Sequence, residues 1–245
     1  MKMRHSAIGA LAVAAAAACV QADTVDLQFV GTGAYRTVKA TIGANSFNVK
    51  AGQLRHSFSN GTGVAASLSG ILTTFCTDLT ESVTSSGATY TVAPIANLPQ
   101  TSGWPAMGAT RAQGVYNLYA AASGAQYAAN NDYAAAFQIA LWEVVYDYNG
   151  SLASLSLTGG NFKAKDTDGS ALTSAIATNV SALFSAMVGS PVSQTGLMGL
   201  TSDGAQDQIV QVTVVPLPQT ACLGLLGLGA AVYGRRNLRG SRFRR

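Results

Sequence analysis

Ala136-Phe137-Gln138-Ile139-Ala140-Leu141-Trp142-Glu143 lies inside a segment that runs from Asn131 to about Asp147. Wound at about 100° per residue, the segment is apolar almost all round: Ile139, Trp142 and Tyr146 share one face, and Leu141 and Val145 fall beside Gln138. A helix of that kind belongs inside a protein. Asn131-Asp132 are its expected cap, and only Glu143 and Asp147 mark an expected wet edge. Gln138 is therefore expected as a neutral amide in buried surroundings, where leaving it unpaired would cost roughly 1–3 kcal/mol.

Two further helices flank this one in the sequence. Between Arg111 and Ser123, Val115, Leu118, Tyr119 and Ala122 recur at i, i+3, i+4 and i+7. After Ser170, the residues Ile176, Val180, Leu183, Phe184 and Met187 form one stripe. Upstream of Trp104-Pro105 the character differs. Thr24 to Val30, Tyr35 to Ile42 and Ser46 to Lys50 are short stretches rich in β-branched and aromatic residues, separated by Gly or Asn. Ile71 to Cys76 reads as a buried strand and Thr89 to Val92 as another, while Gln208 to Val215 alternates as a returning strand. The fold class expected is α+β: an N-terminal β-rich sandwich or barrel-like part, a C-terminal helical part and a returning strand. Gly31-Thr32-Gly33 lacks the third glycine of a dinucleotide fingerprint and reads as a turn.

Both ends of the 245-residue chain differ from this body. Met1-Lys2-Met3-Arg4-His5 leads into an uncharged, alanine-rich run from Ser6 to Val20 and then Val20-Gln21-Ala22. A short basic start, an apolar core and a small-residue site make a secretory signal peptide, with cleavage expected after Ala22. A buried N-terminal helix and a lipoprotein site at Cys19 are the alternatives. At the other end, Val215-Pro216-Leu217-Pro218-Gln219-Thr220 precedes an uncharged run from Ala221 to Gly234, followed by Arg235, Arg236, Arg239, Arg242, Arg244 and Arg245. As a helix that run would be about 21 Å long, a marginal span for a hydrocarbon core of about 30 Å. The arginines would hold its end in the cytoplasm and leave the preceding chain outside.

This tail resembles the PEP-CTERM sorting signal of Gram-negative bacteria: a Val-Pro-x-Pro motif on Val215, Pro216 and Pro218, a short apolar helix, and an Arg-rich end anchored by Arg235, Arg236 and Arg239. It departs from that pattern at Leu217, where Glu is usual, and an ordinary tail anchor is the alternative. The resemblance implies an exosortase-type sorting enzyme as partner, transient membrane insertion through the C-terminal helix, and an inner-membrane intermediate. The destination it implies is the cell surface or extracellular matrix, in association with exopolysaccharide and biofilm. The expected organisation is a signal peptide over 1–22, an exported domain over 23–214 and a sorting signal over 215–245.

Charge follows the same partition. The chain carries a formal +4, but two of its fifteen basic residues lie in the first segment and six in the tail. The body keeps seven against all eleven acidic residues, a net of −4. Nucleic-acid binding needs a basic face and is excluded. A charged fraction of 11% against 48% hydrophobic residues also excludes a disordered chain.

With Cys19 and Cys222 in the end segments, Cys76 is the only cysteine of the body. An unpaired thiol in an oxidising compartment is open to oxidation and mixed disulfides. It can be a buried inert thiol, half of an intermolecular disulfide, a nucleophile, or a sulfur held in another bond. A nucleophile needs a base, and His56, the only histidine of the body, reads as a half-exposed structural residue. One Cys and one His cannot ligate zinc; no metal and no cofactor are expected.

Phe75-Cys76-Thr77-Asp78-Leu79, taken with Phe137-Gln138-Ile139-Ala140-Leu141-Trp142, resembles the paired motifs of the Cys-Gln thioester domains of bacterial surface adhesins. The resemblance implies that the Cys76 thiol attacks the Gln138 amide, ammonia leaves, and an internal thioester remains. Cys76 would supply the sulfur and Gln138 the acyl carbon. A lysine amine or sugar hydroxyl on a surface protein or matrix polysaccharide could then take the acyl group, once and without turnover. The function expected is thus a non-enzymatic surface or matrix protein that attaches itself covalently. The alternatives are a passive exopolysaccharide-associated structural protein, in which Cys76 is a core thiol and Gln138 bonds a nearby backbone, and a cysteine hydrolase. Asp166-Thr167-Asp168-Gly169 resembles the start of a calcium loop, but Ala177 stands where the closing carboxylate would be. It and Asp147-Tyr148-Asn149-Gly150 read as turns. Asp78 with Glu81, and Glu143 with Asp147, read as surface carboxylates rather than a glycosidase pair.

Overall fold

The computed structural model describes residues 22–100, 103–187, 192 and 196–212. The signal segment up to residue 21, the sorting motif at Val215, Pro216 and Pro218, the apolar run and Arg235, Arg236 and Arg239 lie outside the described residues. Among the described residues, no helix is long and apolar enough to cross a membrane.

The fold is a mixed α+β one, dominated by an antiparallel sheet. Its strands are β1 (Thr24–Ile42), β2 (Asn45–Ser59), β3 (Gly70–Cys76), β4 (Ala88–Ala93), β5 (Phe162–Lys165), β6 (Leu197–Ser202) and β7 (Ala205–Gln211). The sheet order is β2-β3-β7-β6-β4-β1-β5, and β1 also pairs with β2, so six strands form a closed ring to which β5 is added. β1 can serve so many partners because it is nineteen residues long. Its first residues pair with β4 and its last with β5, while β2 runs along its length.

Two of the expected strands are therefore one. The glycine-marked gap between Val30 and Tyr35 is absorbed by register shifts at Phe29/Gly31 and Thr32/Tyr35, where β1 carries extra residues relative to β2. β2 continues nine residues beyond the expected Lys50, β5 was not expected, and the returning strand is a hairpin, β6–β7, ending at Gln211. Val25, Leu27, Phe58, Tyr90, Leu200, Ala205 and Val210 come from five of the six ring strands and pack together as the inner core.

The helices α1 (Gly108–Ala122), α2 (Asn131–Asp147) and α3 (Ser174–Ala186) pack with the sheet in a second, larger core. α2 is its axis. Every residue from Ala134 to Tyr146 is buried, Glu143 included. Ala134, Ala135, Ala136 and Ala140 keep its girth small, and α1 approaches closely at Gly114, where a Cβ would stand 2.7 Å from the Tyr148 ring. The cap is Asn130 rather than Asn131-Asp132: its Oδ1 accepts from the Asp132 and Tyr133 N–H groups at 3.1 Å each. At the other end Asp147 holds the start of β5, accepting from Asn161 N, Asn161 Nδ2 and Phe162 N at 2.7–2.9 Å. β3 ends against α2, which brings the two motifs together.

Candidate functional site: the Cys76–Gln138 junction

Cys76 is the last residue of β3, and Gln138 lies midway along α2. Gln138 is wholly buried, and its amide is clamped on one residue: Oε1 accepts the Cys76 N–H at 3.2 Å and Nε2 donates to the Cys76 C=O at 2.8 Å. The carboxamide thus lies against the backbone of the cysteine with which its motif was paired from sequence. The Cys76 thiol is free and buried. Burial raises its pKa well above the ordinary thiol range and the charge of Asp78 adds to this. The Trp142 indole opposes both, although its N–H forms no proper hydrogen bond. An open groove of about 450 Å³ reaches Cys76 from outside, lined by Cys76, Trp142, Leu54, Leu79, Glu81 and Lys50 among others.

The surroundings are short of partners. Trp142 Nε1, Tyr119 Oη, Thr77 Oγ1, Asp78 Oδ2 and Glu81 Oε2 are all buried without a hydrogen-bond partner. Tyr119 is held by Phe75 and Phe137, the residues preceding Cys76 and Gln138, with ring centroids at 6.4 and 4.9 Å in edge-on geometry.

The acidic residues near the site are not the surface carboxylates expected. Asp78 is fully buried. Its Oδ1 accepts from Thr80 N, Thr80 Oγ1 and Glu81 N at 2.6–3.0 Å, and its carbonyl accepts from Gln206 Nε2 at 2.7 Å. Glu81 is pushed up to about 7 by burial and then by the charges of Asp78 and Asp207. Asp207, buried on β7, is raised to about 6, mainly by burial; its Oδ2 accepts the Gln100 N–H at 2.5 Å. The signal for Asp78 was present in Asp78-Leu79-Thr80-Glu81, an aspartate followed by N–H groups that its own side chain can cap. Glu143 is buried as well, and its Oε1 accepts the Ser156 N–H at 2.6 Å, two residues beyond the turn at Leu152–Ser154; burial raises it to about 7.

His56 is buried too, not half-exposed, and burial lowers its pKa to about 4. Its Nδ1 lies 2.9 Å from Thr74 Oγ1, whose own proton goes to Gln208 Oε1 at 2.9 Å. Nδ1 must therefore be the protonated nitrogen. Asp166 and Asp168 cap their own turn through Thr167 N and Ser170 N. Among the described residues no group of three or more His, Cys, Asp or Glu is placed to hold a metal ion. Comparison with known protein families, with curated proteins and with solved structures finds no match to this chain.

Proposed function

We propose that this chain is an exported surface or biofilm-matrix protein that stores a reactive acyl group as an internal thioester between Cys76 and Gln138. The reading rests on one observation, the pairing of the Gln138 carboxamide with both backbone groups of Cys76. That pairing holds the amide against the cysteine, and the Cys76 N–H on Oε1 polarises the carbonyl in the sense that favours attack on its carbon. Condensation would free a secluded sulfur from oxidation, and the groove would admit the amine or hydroxyl that later takes the acyl group.

The end segments supply the address. Under this proposal the signal peptide exports the body, and the tail from Val215 passes through a membrane intermediate to an exosortase-type enzyme. The protein then reaches the surface or matrix of a Gram-negative bacterium. The second reading, a passive exopolysaccharide-associated protein with the same routing, is favoured by the same amide's having both hydrogen bonds made. Intact-mass measurement separates them. Loss of one ammonia that disappears in Cys76→Ala supports the thioester; an unaltered mass with a thiol that alkylates after unfolding leaves the passive reading.

A further inference from the structure

The ring of strands has an opening along β2. β2 pairs with β1 over its whole length, but with β3 only over residues 54–58. Residues 45–50 therefore have no strand on their other side among the described residues. β3 does not follow β2 there because it stays with β7: past Cys76, the Thr77 N–H donates to the Asp207 carbonyl. The chain continues as residues 79–83, held by Gln206, whose Nε2 donates to the Asp78 and Glu81 carbonyls at 2.7 and 3.1 Å and whose N–H donates to the Ser82 carbonyl at 3.2 Å. The groove that reaches Cys76 is lined by Phe47, Asn48, Val49 and Lys50 and by residues 79–83. Successive side chains of a strand point to opposite faces, so four consecutive β2 residues lining one groove place it along the strand's edge, not on a face. Edges are usually blunted by a bulge, a proline or an outward charge. The register shifts lie at Phe29/Gly31 and Thr32/Tyr35 and leave residues 45–50 regular and free of proline. Lys50, their one charged residue, holds its Nζ 5.0 Å from the ring centroid of Tyr35 on β1, the strand on the side away from the free edge. The outer edge of β5, by contrast, is four residues long and carries two lysines.

We propose that this edge docks an extended polypeptide segment of a partner, which adds a strand beside residues 47–50 of β2. A row of unpaired main-chain N–H and C=O groups at strand spacing is matched by another peptide backbone. About four residues, roughly 13 Å of strand, cover the length of the groove. Phe47, 37% exposed, and Val49 stand two positions apart and offer apolar contacts to alternate side chains of the guest. A polysaccharide lacks the alternation of donors and acceptors and stacks on exposed rings, whereas Trp142 is 1% exposed and Phe29 packs on the His56 ring. A second copy of this chain would bring a sheet behind its strand, and residues 79–83 occupy that side of the groove. Because Cys76 lines the same groove, the docked segment runs past the thiol. The inference goes beyond the thioester reading by making the partner a polypeptide, and it does not require the bond to form.

The test measures amide hydrogen exchange over residues 45–50 of the full-length chain, with millimolar acetyl-Thr-Val-Thr-Val-Thr-Val-Thr-amide as the probe. The probe carries no amine and its binding is read as reversible protection, so the result is independent of whether the protein has lost ammonia. Exchange should slow by about tenfold or more and saturate with peptide. An added strand turns alternate amides to its neighbour, so N-methylating either all the valines or all the threonines separates the two rows. One methylated peptide should bind at least about tenfold more weakly and the other nearly as the parent, the side-chain alternation pinning the register. Ser82→Trp fills the groove from the far side and leaves β2 intact, and should weaken binding about as much, with near-ultraviolet circular dichroism as the check on folding. Absent protection, equal affinities of the two methylated peptides, or a folded Ser82→Trp that binds like the parent overturns the proposal. Should Ser82→Trp not fold, the methylated pair decides alone. Protection by dextran and not by the peptide, or protection that rises with protein concentration alone, overturns it too, making the occupant a saccharide or a second copy.

Discussion

β3 carries two buried polar clusters a few residues apart, and they are built in opposite ways. At its middle, His56, Thr74 and Gln208 form a neutral chain in which the donors and acceptors match, His56 Nδ1 to Thr74 Oγ1 to Gln208 Oε1, both links 2.9 Å. At its end, around Cys76, lie an indole N–H, two hydroxyls and two carboxylate oxygens with no partner at all. Buried polar groups are normally paired, and leaving one bare costs free energy. The matched cluster therefore reads as part of the scaffold. The unmatched one is tolerated, which is the pattern expected where a structure gives up stability for chemistry.

The sharpest way to break the contrast is at the junction itself. Gln138→Ala leaves the Cys76 N–H and C=O buried and unpaired and opens a void on α2. The loss should be roughly 2–5 kcal/mol by chemical denaturation, together with abolished ammonia loss in the intact mass. A variant as stable as the parent would mean that the clamp contributes nothing. Thr74→Val is the counterpart in the matched cluster. It keeps the shape while stranding His56 Nδ1 and Gln208 Oε1, and should cost roughly 1–3 kcal/mol. Its ammonia loss should equal that of the parent; a missing mass change would show that the two clusters act as one.

Titration separates them by sign. Glu81 and Glu143 are raised from 4.5 to about 7 and Asp207 from 3.8 to about 6, chiefly by burial. The folded state then keeps protons that the unfolded chain has released. Stability from these groups is full below pH 4 and is lost as the pH rises through 6 to 7. His56, lowered from 6.5 to about 4, works the other way: its contribution is full above 6.5 and is lost as the pH falls towards 4. Three carboxyls outweigh one imidazole. The melting temperature should drop by a few degrees between about pH 5 and 7.5, and Glu143→Gln should flatten the decline. A rise over that window would contradict the raised carboxyl values.

The contrast also marks what could be read from the sequence. α2 was legible as a long run that is apolar almost all round, the end of β3 as a short buried run from Ile71 to Cys76, and the Cys76–Gln138 meeting through the resemblance of their two motifs to those of thioester domains. β5 was not legible: four residues, Phe162–Lys165, two of them lysines, become a strand only because Lys39 to Ile42 of β1 offer an edge. The continuity of β1 was hidden by glycines that mark bulges rather than ends. Asp78 and Glu143 looked like surface residues because carboxylates usually are. What buries them, Gln206 across from one and Ser156 above the other, comes from residues 128 and 13 positions away. Apart from the local cap of Asp78 on Thr80 and Glu81, the peculiarity of the site was therefore tertiary, and local pattern could not contain it.

The smallest expected effect is the most discriminating. Tyr119→Phe removes one oxygen from the unmatched cluster, as Thr74→Val does from the matched one, and both sites are buried. But Tyr119 Oη has no partner to strand, and its ring contacts with Phe75 and Phe137 survive in phenylalanine. Stability should therefore change by no more than about 0.5 kcal/mol, or rise slightly, because a desolvated hydroxyl is gone. Paired denaturation curves for the two variants measure the difference directly. Equal losses would mean that the Tyr119 hydroxyl is bonded after all and the two clusters are alike. A stable Tyr119→Phe beside a weakened Thr74→Val would place the cost of the bare hydroxyl in the native fold itself, maintained next to the one free thiol among the described residues.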